Sequence, residues 1–383
     1  MVAVHQVLPV FAPRDAQGNH VAAIRKALIS MGLTSEIFAG EVNPGAPSPA
    51  RTIRDIDPGR MAAGEPTVWL YHASTGSTVA EWWAEAPGRK ALDYHNITPA
   101  ELLGPWEPHI GVELEHGRRQ LADLADVTEW AIADSAYNEA ELRGLGYRWT
   151  AVVPILLDTG HLADEGVDSE ALERLRLRKA NDGGSDWLFV SRILPHKAQH
   201  DLIKAFAAYR LAYDPAARLA LVGRVGSARY AEALTDYIDD LDLADAVELT
   251  GSVTPGELGA RYRVADVYVS ASDHEGFAVP LLEAMAHDLP VVAFASSAVP
   301  ETAGHAALLV EDKAPTTLAA AVHRVMADSG LRDHLVAAGR QRLRELGLPM
   351  STERLRQAVA RMLADTGVTA PTGVVLPPHL AQA

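Results

Sequence analysis

Several stretches of this chain set side chains capable of chemistry beside a chain reversal. Between Ala265 and Phe294, two carboxylates bracket a tight turn: Glu275 precedes it, and Glu283 lies eight residues later. Gly276, Phe277 and Ala278 lead from the first carboxylate to Pro280, a residue suited to the first turn of a helix because its missing N–H costs nothing there. The first N–H groups of a helix lack internal partners, and the helix dipole favours negative charge beside them. The turn therefore offers backbone donors for phosphate and acidic acceptors for hydroxyls, a pairing that suits a sugar nucleotide. Arg192 and Lys197 follow another apolar run. They either clamp a diphosphate, Arg as a planar fork and Lys as a point charge, or form a solvated surface pair. Glu283 either accepts from two vicinal hydroxyls or is a favourable charge in a helix's first turn. Glu275 is a site acid or a solvated turn residue. His72 and His95 each close an apolar run, where a histidine is either a structural hydrogen-bonder or a substrate contact. Gly18, in the segment Asp15 to Asn19, either lets the backbone approach a diphosphate or makes a plain strand-to-helix turn.

The elements that position these residues alternate. An apolar strand over Val2–Val10, a turn at Asp15–Asn19, a helix over His20–Met31 and a strand over Ser35–Ala39 form a βαβ unit and imply a parallel sheet. Strands over Thr67–Tyr71 and Lys90–Tyr94 lead into His72 and His95. A helix over 107–125, a strand over Thr128–Ile132, a helix capped by Ser135 and a strand over Ala151–Leu156 complete the first set. The stretch 158–185, with Gly160, Gly166, Gly183 and Gly184, marks a domain boundary. Alternation then restarts at Trp187–Val190 and runs through the Glu275–Glu283 turn to Leu289–Phe294. Glu301–Gly304 is expected as a turn, and helices over 315–327 and 330–346 follow. Gly347 and Pro349 break the pattern before a last helix over Ser351–Leu363. Two doubly wound Rossmann-like lobes follow from this order, each with its loops beyond the carboxyl ends of its strands and facing a central cleft. The expected domains are 1–158, 159–345, a helix over 346–365 that crosses back to the first lobe, and a flexible tail over 366–383.

The bulk properties narrow the function. The 383 residues suffice for about two or three domains. A net charge of −16 argues against nucleic acid as a partner, since phosphate backbones demand clustered Lys and Arg. It also disfavours a broad basic membrane patch, leaving weak local association with a membrane surface open. With no cysteine, neither a disulfide framework nor a zinc-thiolate site exists. No secretory signal or transmembrane run is evident, so the expected location is cytoplasmic, with peripheral association at the inner membrane face as a variant. No dinucleotide fingerprint, Walker A loop, H-E-x-x-H or G-x-S-x-G elbow is present.

The run Glu275-Gly276-Phe277-Ala278-Val279-Pro280-Leu281-Leu282-Glu283 resembles the E-x7-E signature of retaining GT-B glycosyltransferases, in particular family 4. The family more often has Gly where Ala278 stands, a methyl that is tolerable if φ stays negative. The segment Arg192-Ile193-Leu194-Pro195-His196-Lys197 resembles the family's R-x4-K donor-phosphate motif, and Gly251-Ser252-Val253 the segment whose backbone receives the base. The family often has a Gly-Gly pair where this chain has Gln17-Gly18. The resemblance implies a GT-B fold, with a donor-binding second lobe and an acceptor-binding first lobe. It implies transfer of a hexose from a nucleoside diphosphate sugar to an acceptor hydroxyl with retention. The acceptor would be a glycan, a lipid-linked glycan or a small molecule, and the setting bacterial cell-surface polysaccharide or glycoconjugate synthesis. Arg192 and Lys197 would hold the phosphates, Glu275 and His95 would orient the sugar, and Glu283 would hold the ribose. The backbone at Gly276, Phe277 and Ala278, with Gly18 and Val253, would complete the donor site. No carboxylate is assigned as a conventional base, because the leaving phosphate oxygen helps deprotonate the acceptor. Neither metal nor cofactor is expected, since positioned cations take up the charge. The rival readings are another GT-B enzyme, such as a sugar-nucleotide epimerase or a phosphorylase, and a non-catalytic two-lobed sugar-binding protein.

Overall fold

The computed structural model describes residues 3–13, 16–56, 67–160 and 166–365. The chain forms two compact units. The first contains the strands β1 (Ala3–Phe11), β2 (Ile37–Val42), β3 (Arg51–Thr52), β4 (Thr67–Ala73), β5 (Arg89–Tyr94), β6 (Trp130–Ala133) and β7 (Thr150–Val152). Their order in the sheet is β3-β2-β1-β4-β5-β6-β7, and every pairing is parallel. Helices α1 (Ala16–Ser30), α2 (Thr78–Glu85), α3 (Pro108–Leu124) and α4 (Ala136–Gly144) connect them. A parallel sheet covered on both faces needs strands that read as continuous apolar runs rather than alternating ones. Accordingly all four residues of β6 are buried, as are six of the seven in β4.

The second unit has helices α5 (Ser169–Asp182), α6 (Gln199–Ala212), α7 (Ala228–Asp240), α8 (Pro255–Val264), α9 (Val279–Ala286), α10 (Val299–Ala303), α11 (Pro315–Ala327) and α12 (Ser329–Leu346). Its strands are β8 (Asp186–Val190), β9 (Arg218–Val222), β10 (Val247–Gly251), β11 (Val267–Ser270), β12 (Val291–Phe294) and β13 (Ala307–Val310). They are parallel throughout, in the order β10-β9-β8-β11-β12-β13. The winding direction reverses between β8 and β11. At such a switch point the loops leaving two neighbouring strands turn to opposite faces and leave a crevice beyond the strand ends, where α/β sheets bind ligands. Capping residues fix the helix starts. Asp168 accepts from the amides of Glu170 and Ala171, both at 3.0 Å. Thr254 accepts from Glu257 at 3.1 Å, with Pro255 in the first helical position.

The last helix, α13 (Leu348–Asp365), packs Leu355, Val359, Met362 and Leu363 into the core of the first unit, against Val4, Ile24, Leu28 and Trp130. Residues 100–111, which the sequence reading places in the first lobe, cluster with the second unit. Trp106 meets the Tyr230 ring edge-on at 5.1 Å, and Ser227 donates to Glu107 at 2.5 Å.

Three local expectations are corrected. Gly18 is not in a turn, because α1 already begins at Ala16. Glu301 to Ala303 are helical rather than a turn. Pro349 lies in the first turn of α13, where a proline is tolerated, and does not break it. The stretch before β5 forms the helix α2, capped by Ser77 through Val79 N at 3.1 Å. Asp15, the weakly patterned residues 57–66 and the tail over 366–383 lie outside the described residues.

Candidate active site

The loops leaving β8 and β11 carry the chemistry of the second unit. After β8 the chain passes Ser191 and Arg192, then makes a 3₁₀ turn over Pro195–Lys197. After β11 it passes Asp273, His274 and Glu275, then enters α9. The loops are joined directly: Asp273 N donates to His196 O at 2.9 Å. Lys197 Nζ lies 2.9 Å from Glu275 Oε1, with both side chains mostly buried. Arg192 is exposed at the mouth of the same loop. Burial first, then the neighbouring charges of Lys197 and Arg192, hold the His196 imidazole well below its ordinary pKa. The loop is therefore a positive field whose histidine stays neutral.

Glu275 is fixed from behind. Its N–H donates to Ser297 Oγ at 2.7 Å, and its carbonyl accepts from Ala298 N at 3.3 Å. Thr302 Oγ1 donates to Phe277 O at 2.5 Å, and Arg342 of α12 donates to the carbonyls of Glu301 and Thr302. Lys313 bridges Asp273 and Asp201, which ties the same turn to α6. Phe277 is buried, so its ring serves packing and its backbone faces the turn. Gly276 is half-buried beside it. Ala278 is the N-cap of α9 at φ 64° and ψ 55°, which corrects the expectation of a negative φ. A left-handed conformation costs a residue with a Cβ roughly 1–2 kcal/mol; here the methyl is carried at that cost.

Glu283 lies past the first turn of α9, so it is not the helix-dipole charge considered from sequence. Its Oε2 accepts from Tyr262 Oη at 2.8 Å. Val253 is half-buried in the β10–α8 connection. That connection leaves a strand two positions from β8 in the sheet. Gly223, after β9, has φ 145°, and a Cβ there would lie 1.9 Å from Ser191 O. Only glycine lets β9 press on the loop that carries Arg192. A separate cavity of about 400 Å³ opens by Asp186, Arg218 and Val247, at the opposite ends of β8–β10. Arg261, at its wall, is committed to Glu248 and Glu257.

In the first unit the histidines converge. His72 and His95 leave the ends of β4 and β5, His20 comes from α1, Asp93 from β5, and Asp134 follows β6. The His72 and His95 rings are nearly coplanar, 7° apart, and His72 Nδ1 meets His95 Nε2 end to end at 3.0 Å. Asp134 Oδ2 lies 3.0 Å from His95 Nδ1, and Gln6 Oε1 lies 3.0 Å from His72 Nε2. This line of four groups is crossed by Asp93, 3.1 Å from His20 Nε2 and 3.3 Å from His72 Nδ1. His95 is therefore tied into this line at both ends of its ring. Its side chain is 6% exposed, and both ring nitrogens are engaged. Burial pushes the His72 pKa down to about 4, against the pull of Asp93. Burial alone would raise Asp93, but the imidazoles of His95, His20 and His72 outweigh it and hold the carboxyl well below its usual range. Burial raises Asp134.

One donor atom from each of His20, Asp93, His95 and Asp134 lies within 4.8 Å of the others, a spacing a cation could bridge. The hydrogen bonds argue otherwise. Leu156 N donates to His20 Nδ1 at 2.8 Å, so the ring proton sits on Nε2, the atom a metal would need. Gly18, buried in α1, has Ala12 O only 2.7 Å from where a Cβ would be, so local packing explains its lack of a side chain.

The "Glycosyl transferases group 1" family matches residues 176–342, the stretch holding Arg192, Lys197, Glu275 and Glu283. That stretch of the chain is similar to this family. Among its curated relatives is the GDP-mannose-dependent alpha-(1-6)-phosphatidylinositol monomannoside mannosyltransferase of Mycobacterium tuberculosis, 35% identical over 159 residues. That match covers 39% of this chain and 40% of the relative. A D-inositol 3-phosphate glycosyltransferase of Kineococcus radiotolerans is 31% identical over 266 residues, 65% of this chain and 60% of the relative. The chain thus spans between two fifths and three fifths of these relatives' lengths. Sucrose-phosphate synthase from Thermosynechococcus elongatus superposes with a TM-score of 0.74 at 19% identity, over 95% of this chain and 100% of that one. Anabaena HepE, in complex with UDP and glucose, gives 0.73 at 17%, over 95% and 100%. The likeness is one of fold: the chain has the GT-B plan of two parallel-sheet Rossmann-like domains.

Neither partner of the His95–Asp134 bond was singled out from sequence as paired. Asp93 carried a signal, since an acid inside an apolar strand has to find buried partners. Tyr262 carried none.

Proposed function

We propose that this chain is a retaining glycosyltransferase of the E-x7-E, family 4 type, which transfers a hexose from a nucleoside diphosphate sugar to an acceptor hydroxyl. The observation that carries the reading is the Lys197–Glu275 pair at the switch point between β8 and β11. It sets a cation for the diphosphate beside an acid for the sugar. Arg192 adds a second cation, and Glu283 a hydroxyl acceptor. As the bond from the anomeric carbon to the phosphate oxygen breaks, the acceptor oxygen attacks the same face, and its proton passes to the departing phosphate. Lys197 and Arg192 stabilise the charge that grows on that phosphate, the term that supplies most of the rate in such a transfer. The step needs no divalent metal. The backbone at Gly276, Phe277 and Ala278 adds donors at the start of α9. Val253 is assigned to the base. For His95 to touch the sugar, its bond to His72 or Asp134 has to open.

The relatives' names, for GDP-mannose and for inositol 3-phosphate, favour a polyhydroxylated acceptor. A lipid-linked glycan or a growing surface polysaccharide fits this class. No helix among the described residues is long and apolar enough to cross a membrane. We assign the protein to the cytoplasm, with peripheral contact at the inner membrane face. The test is a screen of GDP- and UDP-sugars by thermal shift, followed by product analysis with and without acceptor. An α-configured product from an α-donor supports the reading. Release of free sugar epimers without acceptor, or binding without turnover, rejects it in favour of an epimerase or a binding protein.

A further inference from the structure

We propose that Tyr262 is a positioning residue for the donor nucleotide: its hydroxyl locks the Glu283 carboxylate in the orientation that accepts both hydroxyls of a ribose diol. The proposal rests on the reading of Glu283 as the ribose acceptor and adds the group that orients it. Tyr262 comes from α8 and is 2% exposed. Its ring lies near-parallel to His287, 13° apart with centroids at 4.8 Å, and to Tyr268 on its strand, 18° apart at 6.4 Å. His287 is itself held, with Nδ1 2.8 Å from Glu283 O one helical turn back. The ring therefore cannot swing, and its hydroxyl reaches Glu283 Oε2 at 2.8 Å. Burial first, and then the Glu283 carboxylate, push the Tyr262 pKa well above its ordinary value. The group thus remains a donor throughout the pH range of the folded protein.

The chemistry that follows concerns specificity. A vicinal diol presents two O–H donors at fixed spacing. A carboxylate free to rotate about its last torsion, which is broad for glutamate, meets them with a spread of orientations. A carboxylate held by a short bond from a buried phenol meets them in one. Recognition of the 2′-hydroxyl then depends on an oxygen that never touches the ligand.

The test measures binding of UDP and GDP, and of their 2′-deoxy forms, by calorimetry to the full chain, Tyr262→Phe and Glu283→Gln. Phe keeps the ring stack and removes one oxygen. The expected result is a ribo-over-deoxy preference of about tenfold or more in the unmodified chain, the scale of one hydrogen bond to a charged group. Tyr262→Phe should cut that ratio at least threefold while kcat at saturating donor stays within twofold. A purely structural role would lower the melting temperature and leave the ratio alone, and that result overturns the proposal. If Glu283→Gln removes the preference but Tyr262→Phe does not, only the role of Tyr262 falls. If Glu283→Gln also leaves the ratio intact, the ribose reading of Glu283 falls with it.

Discussion

Acidification should loosen the first unit through His72. In the folded chain this imidazole titrates at about 4, against 6.5 for an unburied one. Between those values the unfolded chain binds a proton that the folded chain refuses, so stability present above pH 6.5 is lost as pH falls towards 4. At 1.36 kcal/mol for each tenfold change in proton affinity, the full difference is about 3 kcal/mol. The groups facing His72 are Asp93 and His95 from β5 and its end, His20 from α1, and Gln6 from β1. Asp93, held below its usual range, adds a loss at still lower pH. Asp134, raised by burial, works the other way, because protons then favour its folded form. Urea unfolding followed by tryptophan fluorescence reads this unit, since Trp69, Trp82, Trp83, Trp130 and Trp149 all lie in it. The unmodified chain should lose stability from pH 7 to pH 4.5, and His72→Gln should flatten that slope by up to one proton. Identical slopes for the two proteins would refute the account of His72 as a buried neutral base.

Other perturbations test the donor turn. Ala278→Gly relieves a left-handed alanine and should raise stability by up to about 1 kcal/mol, a melting shift of roughly 2–4 °C, with binding retained. Gly223→Ala drives a methyl onto Ser191 O and should displace the Arg192 loop, seen as weaker binding of UDP or GDP by at least tenfold in calorimetry. His95→Ala, if the buried line is its main role, should lower the melting temperature more than it lowers kcat; the reverse order would restore a direct contact with the sugar.

Much of the second unit was legible in the sequence because its chemistry is local. Arg192 and Lys197 sit five residues apart on one loop, and Glu275 and Glu283 eight apart on one turn and helix. What joins them, the meeting of β8 and β11, follows from strand order. What was not legible is long-range. His20 and Asp93 are 73 residues apart, His72 and Gln6 66 apart, and no periodicity announces either pair. The same holds for Tyr262 and Glu283, which stand 21 residues apart on different helices. Ala278 shows a different gap. Its residue type argued for negative φ, and tertiary constraint from Thr302 and Ser297 around the turn overrode that preference.

The central claim is that the β8 and β11 loops together grip a diphosphate. Calorimetric titration of UDP and GDP into the full chain and into Lys197→Ala tests it most directly. With charged hydrogen bonds contributing roughly 1.5–3 kcal/mol, the account predicts binding of one nucleotide that weakens about tenfold to a hundredfold in the variant. Equal affinity in the two proteins, with the fold intact by circular dichroism, would contradict it.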